Sequence, residues 1–125
     1  MNSEQLIALS KEFIHNATTY NMEYIDAIYS DAIVIVMVDE NDGVATFNKQ
    51  QLLDYFGTRN REKAAPLSQD ATFLYAEGDE HSAMVIVSRE MTFNQRPEKM
   101  LFTLLWENTD KGWQVVRESC AIRPL

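Results

Sequence analysis

The sequence predicts an α+β fold: N-terminal helices packed on a strongly curved, mostly antiparallel sheet. Three observations carry this. Apolar residues recur at helical spacing up to about residue 29. From residue 70 onward the chain turns into four long strand-like stretches joined by short polar turns. The last of these turns is the clearest: an apolar stretch, MLFTLLWEN, the polar turn TDKG, and an alternating stretch, WQVVRESCAIR. Helices first and a strand meander afterwards is the order of an α+β domain, in which the helices cover one face of an antiparallel sheet.

The elements follow in order. Asn2 or Ser3 can cap a first helix, whose apolar stripe is Leu6, Leu9, Phe13, Ala17 and Tyr20. Asn21 caps a short second helix with Met22, Ile25, Ile28 and Tyr29 on its apolar side. Ala32 to Val38 is rich in β-branched residues and reads as a strand buried on both faces. Asp39 to Gly43 is a turn, and Val44 to Phe47 a short returning strand. Asn48 and Gln51 have capping-box spacing, so a third helix begins there, with Leu52, Leu53 and Phe56 inward and a stop at Gly57. The later strands are expected at about Asp70–Glu77, Ala83–Phe93, Glu98–Asn108 and Trp113–Arg123. Turns at Gly78–Glu80, Asn94–Pro97 and Thr109–Gly112 connect them.

Bulk properties exclude several classes of function. At 125 residues the chain reads as one domain, 1–125, able to form a core without staples. A net charge of -8 with 11 scattered basic residues argues against nucleic-acid binding. The closest basic cluster, Arg59, Arg61 and Lys63, fits a solvated helix end. Cys120 is the only cysteine, so no internal disulfide forms, and in a strand-like run it acts as a small hydrophobe. The first residues resemble no signal peptide and no apolar run is long enough for a membrane span, so the expected location is the cytoplasm.

The layout resembles the nuclear-transport-factor-2-like superfamily over nearly its whole length. The stretches that carry the resemblance are IYSDAIVIV at Ile28–Val36, FNKQQLLDYF at Phe47–Phe56 and TLLWENTDKGWQVVRES at Thr103–Ser119. They look similar to SnoaL-like members and to the calcium/calmodulin-kinase association domain. The resemblance implies a cone-shaped barrel with a mixed, mostly antiparallel sheet, on which very different functions occur. Placed against ketosteroid isomerase, the three polar catalytic positions fall on Phe13, Met37 and Phe102, all apolar. An enolate mechanism needs a base and hydrogen-bond donors, so the resemblance implies that steroid-isomerase activity is absent. SnoaL-like last strands often carry histidines where this chain has Arg117 and Ser119.

No metal or cofactor is expected, because His15 and His81 are isolated and no ligand spacing accompanies them. Alternation places Val85, Val87, Arg89, Met91 and Phe93 on one face, and Trp113, Val115, Arg117 and Ser119 on one face of the last strand. One of those arginines is therefore a candidate polar anchor inside the cone, with Glu90 or Glu118 as its counter-charge. The candidate ligand-binding set is Phe13, Met37, Tyr55, Arg89, Met91, Phe102, Trp113 and Arg117. The leading expectation is an apolar pocket for a small apolar or amphipathic molecule. The alternatives are a cyclase, isomerase or dehydratase, with Glu118, Asp39 or Glu107 as base or Tyr29 or Tyr55 as acid, and a non-catalytic dimerisation module. Both faces of the last strands look apolar, so the outer face, with Leu101, Leu105 and Val116, is expected to pair two copies into a homodimer.

Overall fold

The computed structural model describes residues 1–93 and 95–125; Asn94, which opens one expected turn, and the side chain of Phe93 lie outside that description. Helix α1 (Ser3–Thr18) starts at Asn2, whose side chain accepts from the Gln5 N–H while the Gln5 side chain accepts from the Asn2 N–H. This reciprocal pairing satisfies two of the amide donors that a helix start leaves free. Helix α2 (Met22–Ile28) is capped by Asn21, and helix α3 (Lys49–Arg61) by a second capping box between Asn48 and Gln51. Helix α3 runs past Gly57, the expected stop, to Arg61. Gly57 is buried in a helical turn that faces Met22, and a Cβ there would meet Met22 Cε at 3.7 Å, an ordinary contact, so neither backbone nor packing ends the helix at this residue.

Among the described residues, six strands form one sheet in the order β2-β1-β6-β5-β4-β3. They are β1 (Tyr29–Val38), β2 (Val44–Asn48), β3 (Thr72–Gly78), β4 (Ser82–Phe93), β5 (Arg96–Thr109) and β6 (Gly112–Pro124). β1 and β6 run parallel and every other pair is antiparallel, a mixed α+β sheet with both edges open. β1 begins at Tyr29, earlier than expected, so Tyr29 projects from a strand into the core. The helices lie on the concave face. There Leu6, Ile25, Ile33, Val85, Leu104, Trp106 and Val115 are almost completely buried. β1 is less enclosed than its composition suggests: Ile33 and Ile35 are buried, whereas Val34 and Val36 are half-buried.

One irregularity decides which side chains enter the cone. Along β6, Val115 pairs with Trp106 but Arg117 pairs with Leu105, so two residues oppose one and Val116 is bulged. A β-bulge resets the alternation downstream of it. Val115 therefore faces inward, Arg117 outward, and Glu118, Cys120 and Ile122 inward again. The simple alternation that put Arg117 beside Val115 fails at this residue.

Candidate functional site

Between α1, α3 and the concave face of the sheet lies a cavity of about 630 Å³. Its walls are mostly apolar, and Met37, Met91, Met100 and Phe102 line one side. Of the eight candidate residues, Phe13, Met37, Tyr55, Arg89, Met91 and Phe102 line this cavity. Trp113 does not: it pairs with Asn108, beyond Trp106 and outside the Met100–Leu104 stretch of β5 that borders the cavity, and packs half-buried against the core. Arg117 does not either. It is exposed on the outer face, where its guanidinium donates to the carbonyls of Ala32 (2.8 Å) and Val116 (2.7 Å).

Among the described residues, three ionisable side chains that line the cavity are buried. Glu118 comes from β6 beyond the bulge and is buried, and its Oε1 has no hydrogen-bond partner among the described residues. Burial pushes its carboxyl up to about 7, against the opposing pull of Arg89 and the Tyr29 hydroxyl. Tyr29, at the start of β1, is held edge-on to Phe13, with ring centroids 5.4 Å apart. Its phenol is raised well above its ordinary value by burial and by the neighbouring Glu118. Arg89 comes from β4, which pairs with β5 without a register shift, so plain alternation carries it inward. It is 9% exposed, donates from Nε to Asp70 O at 3.3 Å and from Nη2 to Ser68 O, and lies over the Phe102 ring at 5.6 Å.

The other expected carboxylates are elsewhere. Asp39 is exposed and accepts from the Asn41 and Gly43 amides within the β1–β2 turn, which lowers its pKa. Glu107 and Glu90 are exposed. At the rim, the sequence reading missed Asp54, Thr58 and Arg59, because it ended α3 at Gly57 and two of them come from the extra turn. Arg59 is committed to Tyr20 Oη (2.7 Å) and Ala65 O (3.3 Å). Cys120 is buried beside Met100, and its thiol is pushed up to about 12 by burial, which makes it a poor nucleophile. No cluster of three or more potential metal ligands occurs among the described residues.

The backbone finds many counterparts among solved structures. An NTF-2-like protein of unknown function from Silicibacter pomeroyi DSS-3 superposes with a TM-score of 0.72 at 16% identity, over 98% of this chain and 100% of that one. The fold is that of the NTF2-like proteins. A ketosteroid isomerase-like protein from Erwinia carotovora atroseptica gives 0.61 at 13% identity, over 94% of this chain and 92% of that one. A putative calcium/calmodulin-dependent protein kinase II association domain from Xanthomonas campestris gives 0.62 at 15%, over 94% and 84%. The sequence itself matches no family model and no curated protein. Among the described residues, no helix is long and apolar enough to cross a membrane.

Proposed function

We propose that this chain binds a small, largely apolar molecule inside the cone. The observation that carries the reading is the 630 Å³ cavity, apolar over most of its wall yet holding Glu118, Tyr29 and Arg89. Its volume lies within the roughly 300–1,000 Å³ range of small-molecule sites, which pair apolar walls with a few placed polar groups. The uncharged fluorophore N-phenyl-1-naphthylamine is expected to bind one per chain with enhanced emission. Met37→Trp, which fills the cavity, should weaken that binding about tenfold or more while thermal melting stays cooperative. Equal binding by the variant would place the fluorophore outside the cone and remove the reading.

A second reading is favoured by Glu118. A buried carboxyl that titrates near 7 in a mostly apolar cavity suits proton transfer at neutral pH. In this reading Glu118 takes an α-proton from a bound carbonyl compound, and Tyr29 hydrogen-bonds the enolate oxygen. Exchange of the α-protons of 2-tetralone in D₂O, followed by NMR, should then exceed the buffer rate, rise with pH through about 7 and vanish in Glu118→Gln. A rate equal to buffer leaves binding alone.

Two copies are proposed to pair through the outer sheet face. Leu101 and Met84 are exposed there, and Leu105 and Val116 half-buried. Sedimentation equilibrium should report twice the 14.4 kDa chain mass, and Leu101→Glu should return it to the single-chain mass.

A further inference from the structure

Arg89 is the feature that the cavity reading leaves unexplained. A guanidinium stays protonated under any ordinary condition, and this one is 9% exposed. Among the described residues it has no carboxylate within ion-pair distance. Its two hydrogen-bond acceptors are the neutral carbonyls of Ser68 and Asp70, and Nη1 has no hydrogen bond among the described residues. A charge taken out of water is costly without a counter-charge. Glu118, the buried carboxyl on this wall, lies outside ion-pair distance and is driven toward its neutral form by burial, so below about pH 7 it supplies little negative charge. Tying down the Ser68–Asp70 segment accounts for Nε and Nη2. It does not account for a charged group in a mostly apolar wall, set over the Phe102 ring with Nη1 unengaged among the described residues.

We propose that the cavity takes an amphipathic monocarboxylate, its carboxylate paired with Arg89 and its apolar body laid along Met37, Met91, Met100 and Phe102. The inference rests on the reading of the cone as a ligand site. A planar fork matches a carboxylate in geometry and charge, and such charge-assisted bonds are among the strongest available. One free guanidinium edge calls for one anionic group. The methionines supply a soft, adaptable surface that suits a flat or flexible apolar body.

The test compares 2-naphthoate with its uncharged methyl ester as competitors of bound N-phenyl-1-naphthylamine at pH 6, where naphthoate is ionised and Glu118 mostly is not. In the wild type the acid should displace the fluorophore at a concentration about tenfold or more below that of the ester. Arg89→Met should lose that preference while binding the ester as before, and Arg89→Lys should retain part of it. If Arg89→Met does not fold, the wild-type comparison decides alone. An ester that competes as well as the acid, or an Arg89→Met protein that keeps the preference, overturns the inference and leaves the cavity reading standing. A wild type that binds no fluorophore removes both.

Discussion

Glu118→Gln is expected to stabilise the protein at pH 8 by about 3 kcal/mol and to change it little at pH 4. The sign follows from where the proton sits. The carboxyl titrates at the ordinary 4.5 when unfolded and at about 7 when folded, chiefly because burial disfavours the charged form. Below pH 4.5 both states hold the proton and the group is neutral to stability. Between 4.5 and 7 the unfolded chain releases the proton and the folded chain keeps it, so stability falls as pH rises. Above 7 the full penalty applies. Glutamine has nearly the same shape and no charge to desolvate, so it escapes that penalty. For a chain of this size the gain corresponds to an increase in Tm of roughly 10 °C at pH 8. Thermal melts of both proteins at pH 4, 6 and 8 measure it; an offset that is the same at all three would mean that ionisation of Glu118 is not its cause.

A penalty of that size matters because whole domains are stable by only about 5–15 kcal/mol. An apolar cone gains nothing structurally from a carboxyl with an unpartnered oxygen. Groups kept at such a cost are commonly those that bind or react. The same reasoning separates Glu118 from Glu98. Glu98 is also buried, but its Oε1 is paired at 2.5 Å with Arg96 Nε, and Arg96 in turn reaches Glu40 at 2.6 Å. That group holds two hairpins together at the far end of the sheet from Trp113, and it differs from Glu118 in that the Glu98 charge is paired, although Glu98 Oε2 also has no hydrogen-bond partner among the described residues.

Much of the fold was legible because its signals are local. Asn48–Gln51 formed a capping box where the spacing predicted it, and Asn2, one of two expected caps, starts α1. Period-two alternation carried Arg89 to the concave side because β4 pairs with β5 without a shift. What failed was set by tertiary structure. Gly57 looks like a helix stop, yet α3 continues through it to Arg61. Tyr29 continues the apolar spacing of α2, yet it is drawn into β1, where it pairs with Val115 of the parallel strand β6. The largest error came from Val116. A single bulged residue exchanged the faces of Arg117 and Glu118, and nothing in WQVVRES marks that position, since it contains no glycine or proline. The cavity's acid was named from the sequence as a possible base, but its face could not be read there.

Trp106→Ala is expected to cost about 3–5 kcal/mol, the largest loss of any single substitution proposed for this chain. Trp106 is 0% exposed and is the largest fully buried side chain among the described residues. Its ring meets Phe13 edge-on at a centroid distance of 5.8 Å and an interplanar angle of 83°, and Phe13 meets Tyr29 in the same way at 5.4 Å and 87°. The three rings therefore link β5, α1 and β1, and they place the Tyr29 hydroxyl beside Glu118. Removing the indole leaves a void that rigid strands on either side cannot close, so the lost transfer energy and the cavity penalty add. Trp106→Phe separates packing from polarity. It keeps a ring against Phe13 and discards an indole N–H that has no acceptor among the described residues, so it should lose roughly half as much or less. Urea unfolding followed by far-UV circular dichroism measures both variants. Two equally large losses would mean that the indole N–H has a partner. If the alanine variant loses less than about 1 kcal/mol, the aromatic link does not hold α1 to the sheet.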